Sequence, residues 1–180
     1  MLNAPKIKRI VITGPESTGK TELAISLARK LNSVWVPEYA RHYVENLGRD
    51  YNYDDVVEIA KYQIAEENKC TSELKNGIVI FDTWLIITKV WLDVVYGICP
   101  TWIQDHIKSS EIDLFLVCAT DLPWIADPVR ENGGDKREEL FQLYIKEIQK
   151  FGFKYEIVQG IGEARLDCAL KQLSKHGVKL

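Results

Sequence analysis

Ile10, Val11, Ile12, Thr13, Gly14, Pro15, Glu16, Ser17, Thr18, Gly19, Lys20 and Thr21 follow one another near the start of the chain, and their reading decides the fold. The unbroken apolar run Ile10 to Ile12 stops at Thr13 and Gly14, which predicts a short strand buried on both faces. From Lys20 onward Leu23, Leu27 and Leu31 recur every fourth residue beside Ala24 and Ala28, which predicts an amphipathic helix ending at Asn32. Between strand and helix, Gly14 to Thr21 matches the pattern of two spaced glycines, a lysine and a hydroxyl residue. The glycines let backbone N–H groups converge on an anion at the positive end of the helix. Gly14, Glu16, Ser17, Thr18, Gly19 and Lys20 are therefore expected to cradle the phosphates of ATP, with Lys20 at the β and γ groups and Thr21 on Mg²⁺.

Working outward, Val34 to Val36 forms a second apolar run closed by Pro37, and Ile78 to Phe81, Leu114 to Cys118 and Tyr155 to Val158 form three more. Asn52 caps a helix with Asp54 and Asp55 in its first turn and Val57, Ala60 and Ile64 on its inner face. Thr83 is placed to cap a buried helix through Trp84, Thr88, Trp91 and Val95. Asp135 and Glu138 resemble a capping box before a helix that buries Phe141, Tyr144, Ile145 and Ile148. Leu166, Ala169, Leu170 and Leu173 mark a final amphipathic helix. Apolar strands alternating with helices predict an α/β P-loop fold, a parallel five-stranded sheet with helices on both faces. Its ligands are expected at the carboxyl ends of the strands.

The chain has 180 residues, 46% hydrophobic and 27% charged, which predicts one globular domain over residues 1–180 and excludes a disordered or collagen-like chain. Twenty-three Lys and Arg against 26 Asp and Glu leave a net charge of -3. With no basic block to track a phosphate backbone, nucleic acid is not the expected partner. The longest apolar stretch, Trp84 to Pro100, carries Lys89 and Asp93 and is too short to cross a bilayer, so no membrane partner is expected. Met1 to Arg9 lacks the features of a secretory signal or transit peptide. Cys70, Cys99, Cys118 and Cys168 are too dispersed for a close metal-ligand pair, and reduced thiols suit a cytoplasmic setting.

Each strand end offers chemistry. Asp82 closes the third strand, where a carboxylate can face Mg²⁺ or the substrate. Glu38 follows the second strand, with Tyr39 and Arg41 behind it, and a carboxylate there can take the proton of an attacking hydroxyl. Beyond the fourth strand, Asp121 to Arg130 leads into Gly133, Gly134 and Arg137, which predicts a lid at about residues 124–137. Its arginines, Arg130 and Arg137, would meet charge developing on a transferred phosphoryl group. Trp84 and Trp124 follow strand ends and are candidates to line a substrate pocket, whereas Trp35, Trp91 and Trp102 read as core. His42, His106 and His176 show no metal-ligand spacing.

The ordered set GPESTGKT, PEYAR, IVIFDT, DLPWIADPVR and EAR resembles the nicotinamide riboside kinase domain of the NadR family, from Ile10 to about Leu173. The resemblance implies a nucleoside-kinase-like three-layer sandwich and transfer of the ATP γ-phosphate to the 5′-hydroxyl of nicotinamide riboside, with Mg²⁺. It assigns Gly14 to Thr21 to ATP, and Glu38, Tyr39 and Arg41 to the substrate side. Asp82 falls at the reaction centre and Arg130 with Arg137 in the lid. It leaves open whether Glu38 or Asp82 is the general base. Members of that family carry an aromatic residue directly before the Glu-Tyr pair; this chain has Pro37, and Trp35, Trp84 and Trp124 are candidates to supply the ring. The family's fused adenylyltransferase domain finds no room in 180 residues, which implies completion of NAD by another enzyme. Two alternatives remain at this point: a kinase of another nucleoside, and a regulatory ATPase with no small-molecule acceptor. The Asp-x-x-Gly and Asn-Lys-x-Asp segments of guanine-type switches are absent.

Overall fold

The computed structural model describes residues 7–74, 77–126 and 132–178. Strands β1 (Lys8–Thr13), β2 (Val34–Val36), β3 (Ile78–Asp82), β4 (Leu114–Cys118) and β5 (Tyr155–Val158) form one parallel sheet in the order β2-β3-β1-β4-β5. The helices are α1 (Lys20–Leu31), α2 (Tyr39–Glu45), α3 (Tyr53–Glu73), α4 (Leu85–Trp91), α5 (Thr101–Ser109), α6 (Asp135–Lys150) and α7 (Glu163–Lys175).

Alternate side chains of the central strands feed two cores, as the two-residue period of a strand requires. Ile10, Ile12, Ile80, Leu114 and Leu116 pack with Leu23, Ala24 and Leu27 of α1 and with Ala169 and Leu173 of α7. Val11, Val79, Phe81, Phe115 and Val117 pack on the other face, against Val56 and Ala60 of α3, Leu85 and Ile86 of α4, Ile103 and Ile107 of α5, and Phe141 and Ile148 of α6. This is the predicted three-layer sandwich, and it accounts for strands apolar at nearly every position.

Local signals held in part. Asn32 ends α1 in the left-handed conformation. Asn52 accepts from the Asp55 amide while Asp55 accepts from the Asn52 amide, a reciprocal capping box. On α3 the buried positions are Asp55, Val56, Ile59, Ala60 and Glu67, whereas the expected Val57 and Ile64 are only partly buried. Asp135 is the first helical residue of α6, not its cap, and Glu138 instead accepts from the Thr120 hydroxyl at 2.9 Å. Thr83 does not cap α4 either, because its backbone stands at φ +67° and Trp84 takes the cap position. The stretch expected as a single helix from Trp84 ends instead in a π-helical turn, Leu92–Tyr96. Helix α5 had no counterpart in the sequence reading, and Trp102, expected in the core, is 37% exposed upon it.

Candidate active site

The turn from β1 into α1 is built by backbone conformation. Gly14 stands at φ +140°, and a Cβ there would come within 2.8 Å of the Cys118 carbonyl oxygen. Gly19 stands at φ +72° and leads straight into α1, whose first amides point back into the loop. Ser17 also adopts a positive φ, +56°, and the Thr18 hydroxyl donates to the Pro15 carbonyl at 2.8 Å, folding the loop on itself. Lys20 Nζ donates to the same carbonyl at 2.8 Å. The ammonium thereby sits over the mouth of the loop.

Asp82 lies 1% exposed at the end of β3, which runs directly beside β1. Neither of its carboxylate oxygens has a hydrogen-bond partner among the described residues. Burial pushes its carboxyl above the usual range; the Thr21 hydroxyl, close but short of a regular hydrogen bond, and the Lys20 ammonium pull it back. A buried carboxylate without a partner costs free energy unless something cationic shares its site. Asp82 with the Thr21 hydroxyl is thus a donor set that fits a hard cation bridging to phosphate. Among the described residues no group of three His, Cys, Asp or Glu could hold a metal by itself.

Glu38 stands at the head of α2 and faces the same space as Lys20. Strand β3 intervenes between β1 and β2, so Glu38 approaches the phosphate loop across the end of β3. Desolvation raises its carboxyl above the usual range; Lys20 opposes this, Asp82 adds to it, and Arg41 and Glu16 contribute less.

A cavity of about 1000 Å³ is lined by the phosphate loop and Glu38, whereas Asp82 borders only the small void beside it. Lys136, Leu140 and Tyr144 of α6 line it too. Tyr51, Trp91, Val94, Val95 and Tyr96 give it an aromatic and apolar wall, and Arg41, Gln63 and Thr88 add polar groups. Tyr51 meets Trp91 edge-on at 4.8 Å, and Tyr53 meets Tyr96 edge-on at 5.5 Å, so the aromatic wall is braced. Thr88 donates to Gln63 Oε1 at 2.7 Å, which leaves the Gln63 amide N–H₂ available to a ligand.

Several candidates sit elsewhere than expected. Trp84, expected to line the pocket, is 1% exposed, packs on Phe115 and Phe153, and borders only a void of about 20 Å³ beside Asp82, too small for a base. Tyr39 borders that void too and stacks on Tyr62 at 3.5 Å instead of facing the cavity. Trp124 is not a cavity residue: it covers Gly133 and donates to Glu16 Oε2 at 3.5 Å. Arg41 does line the cavity, its Nε donating to Glu45 at 2.8 Å. Arg137 is 6% exposed and its Nη2 donates to the carbonyls of Leu122 at 2.9 Å and of Ser17 and Thr120 at 3.4 Å, bracing the phosphate loop from behind. Arg130 lies outside the described residues. Of the expected lid, residues 124–126 and 132–137 are described, and they dock on the phosphate loop. Glu16 accepts from the Asn132 amide and side chain at 2.9 and 3.0 Å, and Ile125 exchanges two hydrogen bonds with Ser17.

Trp91, read from sequence as core, is the largest side chain of the cavity wall, and Tyr51 and Tyr96 were not singled out at all. A helical apolar period cannot tell a core-facing tryptophan from a cleft-facing one. The only local hint was Gly97 soon after Tyr96, a helix stop that leaves the last turn near the sheet's ligand-binding end.

Sheet order, phosphate loop and strand-end carboxylate together define a P-loop nucleotide-binding fold of the nucleoside and nucleotide kinase type. The chain belongs to the AAA domain family, whose model matches residues 9–165. It is similar to the trifunctional NAD biosynthesis/regulator protein NadR, 28% identical over 148 residues in Salmonella typhimurium and 28% over 146 residues in Escherichia coli. Those matches cover 80% and 79% of this chain but 36% and 35% of the relatives, so the chain spans about a third of their length. The crystal structure of NadR protein in complex with NR matches with a TM-score of 0.80 at 26% identity, covering 96% of this chain and 52% of that one. NadR in complex with NAD and AMP-PNP matches at 0.76 and 25%, covering 96% and 50%. A deoxyadenosine kinase from M. mycoides has the same fold, with a TM-score of 0.67 at 15% identity, covering 93% of this chain and 99% of that one.

Proposed function

We propose that the domain transfers the γ-phosphate of ATP to the 5′-hydroxyl of nicotinamide riboside, giving nicotinamide mononucleotide. The observation that carries this reading is the single cavity lined together by the phosphate loop, the Glu38 carboxylate and the aromatic side chains of Tyr51, Trp91 and Tyr96. The likeness to NadR in complex with NR supports the choice of acceptor. A pyridinium ring is a cation, and the Trp91, Tyr51 and Tyr96 rings favour a cation through their π faces. In this reading they take the role left open by Pro37, the missing aromatic being supplied by other residues that line the cavity.

In this reading Lys20 exchanges the Pro15 carbonyl for β- and γ-phosphate oxygens, while the loop amides bind the remaining charge. Thr21 and Asp82 would hold Mg²⁺, which would supply neutralisation of phosphate charge when bound. Glu38, its proton affinity raised by desolvation, accepts the proton of the 5′-hydroxyl. Arg41 and the Gln63 amide hold the ribose side, Arg137 keeps the loop rigid, and Arg130 meets the charge of the transferred group. Catalysis is then mostly positioning and electrostatics.

The test is ADP release with Mg-ATP and, in parallel, nicotinamide riboside, nicotinic acid riboside, adenosine, uridine or no acceptor. Release confined to the nicotinamide compound, with matching mononucleotide, is expected. Stimulation by another nucleoside alone replaces the acceptor and keeps the mechanism. Acceptor-independent release would overturn the kinase assignment in favour of a regulatory ATPase.

A further inference from the structure

Thr83, directly after Asp82, is a β-branched residue at φ +67° and 6% exposed. L residues with branched side chains avoid this region, and such backbone persists only where its surroundings over-determine it. Two constraints hold it. On one side the Thr83 amide donates to the Ile12 carbonyl at 2.9 Å, tying the turn to β1. On the other, Trp84 Nε1 donates to Glu67 Oε2 at 2.9 Å, and His106 Nε2 lies 3.1 Å from the same oxygen. Glu67 is 5% exposed, Trp84 1%, and neither lines the cavity.

Packing alone does not account for this arrangement. A phenylalanine would fill the niche against Phe115 and Phe153 without importing an indole N–H, and burying a carboxylate on α3 to accept from it is costly. What the hydrogen bond adds is direction. It fixes the indole, and through it the backbone one and two residues upstream, at the strand end where Asp82 stands.

Building on the kinase reading, we infer that Glu67 and Trp84 are positioning residues: their buried hydrogen bond holds the turn at Thr83 and so aims the Asp82 carboxylate at the Lys20 and Thr21 end of the phosphate loop. Neither touches substrate.

The experiment compares wild type, Trp84→Phe, Glu67→Gln and Glu67→Leu for acceptor-dependent ADP release over a range of Mg²⁺ and ATP concentrations. Melting is followed alongside. Trp84→Phe and Glu67→Leu are expected to lower kcat about tenfold and raise the Mg²⁺ needed for half-maximal rate severalfold, with the KM for ATP nearly unchanged. Glu67→Gln keeps a carbonyl acceptor for the indole and should stay within about threefold of wild type on both measures. A wild-type kcat and Mg²⁺ response in Trp84→Phe overturns the inference, whatever its melting temperature. If Trp84→Phe fails to fold, Glu67→Leu is combined with Thr83→Gly, since glycine adopts the turn without enforcement. Recovery of the Mg²⁺ response lost in Glu67→Leu supports the inference, and a double variant as impaired as Glu67→Leu alone overturns it. Should wild type show no acceptor-dependent release, the kinase reading falls on its own. The positioning claim is then read from calorimetric ATP binding: a Mg²⁺ dependence altered in Trp84→Phe upholds it, and an identical one overturns it.

Discussion

Two carboxylates, Glu38 and Asp82, stand at the candidate site, and in the proposed reaction their different environments give them different work. Glu38 and Asp82 are both held above the usual range by desolvation, and both are drawn down by Lys20. Glu38 faces the cavity, whereas Asp82 is sealed beneath it beside Thr21. Glu38→Gln should therefore lower kcat by about 10²-fold or more while leaving ATP affinity near wild type, and should remove the acid limb of the rate profile. That limb falls at a higher pH than an ordinary glutamate would give, because protonation silences the base. An unchanged kcat would move the role to Asp82. For Asp82 the linkage has the opposite sense to a salt-bridged aspartate. The folded state keeps the proton that the unfolded chain releases near the ordinary value of 3.8, so stability declines as pH rises from there through the raised folded value. Asp82→Asn is accordingly expected to melt at or above the wild-type temperature at neutral pH while losing activity. A drop of several degrees in a thermal melt would show instead that the carboxylate holds the fold.

At the scale of elements, helix α3 contributes Gln63 to the cavity. Its reciprocal cap joins Asn52 and Asp55, and Arg49 adds two hydrogen bonds to Asp55 at 2.6 and 2.9 Å. The Arg49 bonds are the main reason the Asp55 carboxyl lies far below the ordinary range. Its stabilisation is present above the unfolded value and is lost as pH falls towards the folded one. Asn52→Ala should cost about 1 kcal/mol, the usual worth of such a cap. Urea titration at neutral pH measures it, and no change would mean that Arg49 alone sets the helix start. Helix α4 is joined to α6 by buried Lys89, which donates to Glu147 at 2.5 Å and pairs with Asp93 at 2.6 Å. That strut sits at the start of the π-helical turn and ties the aromatic wall to α6.

At the scale of the whole molecule, ligand binding and stability are linked. ATP contacts the native loop and nothing in the unfolded chain, so nucleotide at about 100 times its dissociation constant should add about 2.7 kcal/mol to stability. Thermal melts with and without Mg-ATP are expected to show the corresponding rise. Lys20→Ala should melt like wild type without nucleotide, show little rise with it, and release no ADP. Full turnover in that variant would sink the phosphate-loop assignment. Among the described residues no helix is long and apolar enough to cross a membrane.

The sequence by itself determined the strands, most helices and the phosphate loop, because each is written in nearest-neighbour chemistry. Apolar runs, a four-residue period, and glycines where a Cβ has no room are all local. Asp82 was legible for the same reason, being the residue at which an apolar strand stops. Only the tertiary structure decided what depends on distant partners. Trp84 became core because Glu67, seventeen residues earlier, meets its indole, and Trp91 became cavity wall because Tyr51 stands across from it. Tyr39 turned away from the cavity onto Tyr62. Arg137 was drawn inward by three backbone carbonyls on two separate loops. Aromatic rings and long cations bury equally well against a core or along a cleft, so composition and period leave their direction free. The choice is made by which polar groups the fold brings within reach of the N–H they carry.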